Sequence, residues 1–88
     1  MALGIDIRPS EFPSGSEIEI QIESSSSGEC GVIIQGGEAV FENGTPVTSV
    51  LVGGFGGTKP DKIKGTLGQH IVRAEMNGET AETRINII

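Results

Sequence analysis

Residues 17–23 read EIEIQIE, and the strict alternation in this stretch decides the fold class. Ile18, Ile20 and Ile22 fall on one side, with Glu17, Glu19, Gln21 and Glu23 on the other. A period of two puts alternate residues on opposite faces of a β-strand, whereas 3.6 residues per turn would scatter the same isoleucines around a helix. The stretch therefore predicts a strand with one face buried and one wet.

Working outward, LGIDI (3–7) places Leu3, Ile5 and Ile7 on one face and stops at Pro9, so it reads as a first strand, with PSEFPSGS (9–16) as the connection. On the other side, SSSSGE (24–29) is polar and turn-prone. CGVIIQ (30–35), EAVFE (38–42) and TPVTSVLV (45–52) follow as strands. Gly36-Gly37 and Asn43-Gly44 stand between them as dipeptides that accept the positive φ angles of hairpin turns. KIKGTL (62–67) is a weaker strand candidate, interrupted by Gly65. QHIVRAEM, Asn77-Gly78 and ETAETRINII predict a closing hairpin with a two-residue loop. That register sets Met76 against Glu79, Ala74 against Ala81, Val72 against Thr83 and His70 against Ile85, with Arg73 opposite Glu82 on the wet side. Ile18, Ile20, Ile22, Val72, Ala74, Ile85 and Ile87 are the expected core.

Eighty-eight residues make a single domain, residues 1–88, near the lower size limit for a self-sufficient core. Seven or eight short strands separated by Gly, Pro, Asn and Ser turns point to an all-β sandwich. Six Lys and Arg against twelve Asp and Glu give a net charge of −6, which repels nucleic acid and anionic membranes. No stretch approaches the roughly 20 apolar residues of a spanning helix, and the first residues lack the pattern of a secretory signal. Synthesis in the cytoplasm is the resulting expectation for a complete gene product. Cys30, the only cysteine, cannot close an intrachain disulfide and reads as a small buried hydrophobe.

The richest candidate for chemistry is LVGGFGGTKP (51–60). A phosphate loop of the form G-x-x-x-x-G-K-[ST] needs its lysine directly after glycine, but here Lys59 follows Thr58 and precedes Pro60. The dinucleotide pattern G-x-G-x-x-G fails as well, because Lys59 stands where the third glycine belongs. The stretch reads as a flexible connection in which Phe55 either folds back as a core plug or projects as a contact. His70 has no further ligands at metal-binding spacing, the serines have no base set beside them, and the glutamates of 17–23 read as a solvated face. Asn43-Gly44-Thr45 matches a glycosylation acceptor but reads first as a turn. Neither catalysis nor a cofactor or metal is expected.

The order PSEFPSGSEIEIQIE, loop-rich middle strands, then LGQHIVRAEMNGETAETRINI resembles immunoglobulin-like domains of bacterial and phage surface proteins. Pro13 and Gly15 match that family's turn into its second strand, and Gly68 with Asn77-Gly78 its closing hairpin. The antibody-type cysteine pair, core Trp and corner Tyr are absent. The resemblance implies a small immunoglobulin-like sandwich of antiparallel strands acting as a structural accessory. Such a module, for instance a capsid decoration or cement protein on a phage virion, docks on capsid protein or self-associates. An adhesin-type or carbohydrate-binding module of a secreted chain is the alternative, weakened by the lack of Trp and Tyr. Phe55, Leu3, Ile5 and Ile88 are the expected partner contacts, because they bring apolar side chains to a loop tip and to the two chain ends.

Overall fold

A computed structural model of the chain describes residues 3–88. Nine strands run in order: β1 Gly4–Arg8, β2 Glu11–Phe12, β3 Ser16–Glu23, β4 Gly28–Ile34, β5 Ala39–Phe41, β6 Val47–Val52, β7 Gly57–Gly65, β8 Gly68–Met76 and β9 Glu79–Ile87. They form a four-stranded sheet, β1-β3-β7-β5, packed on a five-stranded sheet, β2-β9-β8-β4-β6. The molecule is an elongated body of 34 × 20 × 20 Å.

The alternation of 17–23 does what its period requires. Ile18, Ile20 and Ile22 are buried between the sheets, and Glu17, Glu19 and Glu23 are in water. From the five-stranded sheet, Val32, Ile34, Val50, Val72, Ala74, Ile85 and Ile87 meet them, together with Phe12, Phe41 and Ile63. The closing hairpin has the register expected from Asn77-Gly78: Met76 faces Glu79, Ala74 faces Ala81, Val72 faces Thr83, His70 faces Ile85 and Arg73 faces Glu82. Both turn residues hold positive φ, 52° at Asn77 and 80° at Gly78, the conformation a two-residue loop needs to match the strand twist.

Elsewhere the fold departs from sequence reasoning in four ways. The two middle connections are not hairpins. β4 pairs with β6 and β8, and β5 pairs with β7, so Gly36-Gly37 and Asn43-Gly44 carry the chain from one sheet to the other and back. Positive φ serves a crossing as well as it serves a hairpin, so glycine alone does not distinguish them.

The ninth strand is β2, two residues inside the connection after Pro9, and it pairs in parallel with β9. The sandwich is therefore not wholly antiparallel. β7 begins at Gly57 rather than at Lys62, and it includes Pro60. Pro60 lies opposite Glu19 of β3, while β5 reaches only Ile63–Gly65 on the other flank. With no neighbour on that flank, the missing N–H leaves no ladder bond unmade. Finally, Gly65 does not interrupt the strand. A Cβ there would overlap Ala39 and the Glu38 carbonyl, so glycine is what lets β5 approach β7.

Candidate docking surface

The 51–60 stretch resolves into the end of β6, a loop of four residues and the start of β7. Gly53 N–H donates to the Gly56 carbonyl at 3.1 Å, and Gly54 N–H donates to Ser27 Oγ at 3.2 Å, tying this loop to the neighbouring serine loop. Gly56 sits at φ 139° with its Cα against the Ile22 carbonyl, and Gly57 lies as close to the Leu51 carbonyl. Any side chain at either position would collide with backbone. The glycines thus serve close approach where the chain passes from one sheet to the other, not the cradling of a phosphate.

Held by that frame, Phe55 is 97% exposed and Leu51, the last outward residue of β6, is 77% exposed. Phe55 therefore projects into water and does not fold back as a core plug. A shallow groove beside it is lined by Gln21, Ile22, Glu23, Gly56 and Thr58. Carboxylates frame this end: Glu23 lines the groove, and Glu29 is paired across β4–β6 with Leu51.

The other expected contacts are placed differently. Leu3 is 7% exposed and belongs to the chain's own core, with Ile5 half-buried against that core. β1 pairs along its whole length with β3, so these side chains close the sandwich of their own chain. Ile88 is 57% exposed at the opposite end of the molecule, where its N–H donates to the Phe12 carbonyl at 3.0 Å. Phe55 and Ile88 are therefore not parts of one surface.

Several groups singled out in the sequence have structural partners. His70 is buried, with Nε2 2.8 Å from the Thr66 carbonyl. Asn43 Oδ1 accepts the Thr45 N–H at 2.8 Å and Nδ2 donates to the Val47 carbonyl at 2.9 Å, so the acceptor motif is built into a turn. Cys30 is wholly buried, and loss of solvent raises its thiol pKa above the ordinary 9.0. Among the described residues, no group of three or more His, Cys, Asp or Glu is placed to hold a metal ion, and no helix is long and apolar enough to cross a membrane.

Sequence reasoning missed the polar cluster at the open side of the sandwich. Lys59 Nζ donates to Thr48 Oγ1 at 2.7 Å and to the Ser49 carbonyl at 3.2 Å, and it lies 3.8 Å from Asp61. The buried Asp61 Oδ1 accepts the N–H groups of Glu42, at 3.0 Å, and Lys62, at 2.7 Å. Lys59 thereby occupies an outward carbonyl of β6, an edge strand whose outer face carries Val47, Ser49 and Leu51. A lysine side chain that reaches from β7 to cover a free carbonyl of this edge blunts strand addition there. No local signal marks this cluster, because its members come together only when β6 and β7 meet across the two sheets.

These features define a two-sheet β-module with an apolar loop tip. No protein-family model and no curated protein matches the chain. Among solved structures it is similar to BslA, a bacterial hydrophobin, with 17% identity, a TM-score of 0.62, and coverage of 99% of this chain and 98% of that one. The likeness is one of fold. A second structure, the Pseudomonas fluorescens alkylpurine DNA glycosylase AlkC bound to DNA containing an abasic site analogue, aligns with a TM-score of only 0.35 at 17% identity. It covers 96% of this chain and 30% of that one, and carries no argument.

Proposed function

We propose that the chain is a non-enzymatic structural accessory that docks into a larger protein assembly through its Phe55 tip, a capsid decoration protein on a virion surface being the instance its sequence resemblance suggests. The observation that carries this reading is the exposure of Phe55 on a tied loop. A water-facing phenylalanine has no role in the chain's own core, and burying it against a partner would remove about 150–250 Å² of aromatic surface from water. We read the sandwich as immunoglobulin-like, with β1-β3-β7-β5 and β2-β9-β8-β4-β6 in the places of the two immunoglobulin sheets. The parallel β2–β9 pairing, by which the N-terminal segment gives β1 to one sheet and β2 to the other, supports this, and β5 preceding β6 departs from it.

The test is cosedimentation with purified particles of the source. Phe55→Ser should lower incorporation while leaving the melting temperature of the free domain within a few degrees; equal incorporation of the variant sinks the reading. Removal of residues 1–7 is not a usable comparison, because Ile7 is buried in the core. A second reading follows from the same tip and from the hydrophobin fold: action at an apolar interface. It predicts that the wild type, but not Phe55→Ser, lowers the surface tension of water. The scatter of the exposed apolar residues, Leu51 and Phe55 at one end, Leu67 and Ile88 at the other and Val47 on β6 between them, weighs against it.

A further inference from the structure

The six cations are unevenly placed. Arg8, Lys59 and Arg73 each lie within 4.0 Å of a carboxylate, at Asp6, Asp61 and Glu75. Lys62, Lys64 and Arg84 form no such pair among the described residues, and of these the two lysines stand together. Both project from β7 on the outer face of the four-stranded sheet, where they line a groove of about 390 Å³ with the half-buried Val40, the carboxylate-bearing Glu42, and Gly15, Phe41 and Gly44, the Phe41 ring itself being buried in the core. This groove lies toward the end where Gly15 and Gly65 meet, away from the Phe55 loop. The Phe55 end has the reverse character: an apolar tip flanked by Glu23 and Glu29, neither of which has a cation within 4.0 Å among the described residues.

Resting on the reading of Phe55 as a docking element, we propose that its receiver is the Lys62/Lys64 groove of a second copy of this chain. Two complementarities and one geometric fact support that occupant. An aromatic ring meets the outward side chain of Val40, where the lysine ammonium groups can also lie over its face. Two carboxylates without a cation partner, Glu23 and Glu29, meet two ammonium groups that outnumber Glu42, the carboxylate lining their groove. The two surfaces are remote from each other on one molecule, so neither can satisfy the other within a chain. Contact between different patches is heterologous, so copies add head to tail in an open row unless the rotation happens to close a ring. A single aromatic seat with a small charged rim is far below the roughly 1,200–2,000 Å² of a stable interface, so each contact is weak and rows form by repetition or on a template.

Sedimentation velocity of the purified chain over a concentration series tests this, with Phe55→Ser and the double variant Lys62→Glu/Lys64→Glu. All the substituted side chains are exposed, so the fold is expected to survive, and circular dichroism checks it. The wild type should associate progressively up to about 1 mM, and either variant alone should weaken association by about tenfold or more. The decisive arm is the mixture. Phe55→Ser keeps its groove and the double-lysine variant keeps its tip, so together they should form a 1:1 complex that grows no further. Raising salt to about 1 M should weaken that complex by screening its rim.

A wild type that stays monomeric throughout overturns the inference, and so does a mixture that stays monomeric. A double-lysine variant that still dimerises while Phe55→Ser does not would place tip against tip and overturn it too. None of these results bears on incorporation into a foreign particle, which the cosedimentation test reads separately.

Discussion

Truncating Ile20 tests the core most directly. Its side chain is 0% exposed, in the middle of β3, between Ile7 of β1 and Lys59 of β7 in the ladder. Ile20→Ala removes three carbons, worth about 2.4 kcal/mol at ~0.8 kcal/mol per buried methylene. The two sheets cannot collapse onto the gap without shifting β3 out of two ladders at once, so a cavity term brings the expected cost to about 3–4 kcal/mol. A domain of this length has a total stability of about 4–13 kcal/mol, so the loss is a large share of the whole. At roughly 4–8 °C per kcal/mol, the melting temperature should fall by about 12–32 °C. Far-ultraviolet circular dichroism in a urea titration is the assay, since the chain has no Trp or Tyr for intrinsic fluorescence. Ile20→Val should cost only about 0.5–1.5 kcal/mol. A loss below about 1 kcal/mol for Ile20→Ala would refute the reasoning, because it would mean the facing sheets are not packed around this side chain.

Three further expectations use the same denaturation assay. Gly56→Ala should cost about 2 kcal/mol or more, since it combines a positive φ with a collision on the Ile22 carbonyl, whereas Gly53→Ala, which meets open space, should lie within about 1 kcal/mol of wild type. Asp61→Ala should cost about 2–4 kcal/mol by leaving the Glu42 and Lys62 amides without their acceptor, and Asp61→Asn, which keeps a carbonyl oxygen there, should cost less than half of that. Cys30 should react with a thiol reagent only as the protein unfolds. Because burial raises its pKa in the folded state, its contribution to stability is full below the unfolded value of 9.0 and is lost as pH rises through the folded value. Cys30→Ala should therefore lack that part of the alkaline loss, and a native thiol that reacts as fast as a free one would contradict the burial.

The β class, the inward set of isoleucines and the closing hairpin were legible because each rests on local information. Alternation assigns Ile18, Ile20 and Ile22 to one face whatever lies beyond them. Asn77-Gly78 sets the register of β8 and β9 because a two-residue loop leaves one pairing open. The failed phosphate-loop spacing around Lys59 was legible for the same reason. Which strand lies beside which was not. Gly36-Gly37 reads the same whether the chain folds back on β4 or crosses to β7, and only packing of the two apolar faces decides between them. Pro60 is acceptable in β7 because β5 stops short of it, a fact about a neighbour 19 or more residues away in the chain. Lys59, Thr48 and Asp61 become one cluster, and Lys62 and Lys64 one groove wall, through pairings that no local pattern encodes. Phe55 and Leu3 show the division most plainly. Both are apolar residues near a loop or an end, yet one is turned to water by glycines that must pass close to Ile22 and Leu51, and the other is drawn inward by the core beside β1, because burial depends on what the rest of the chain leaves to be covered.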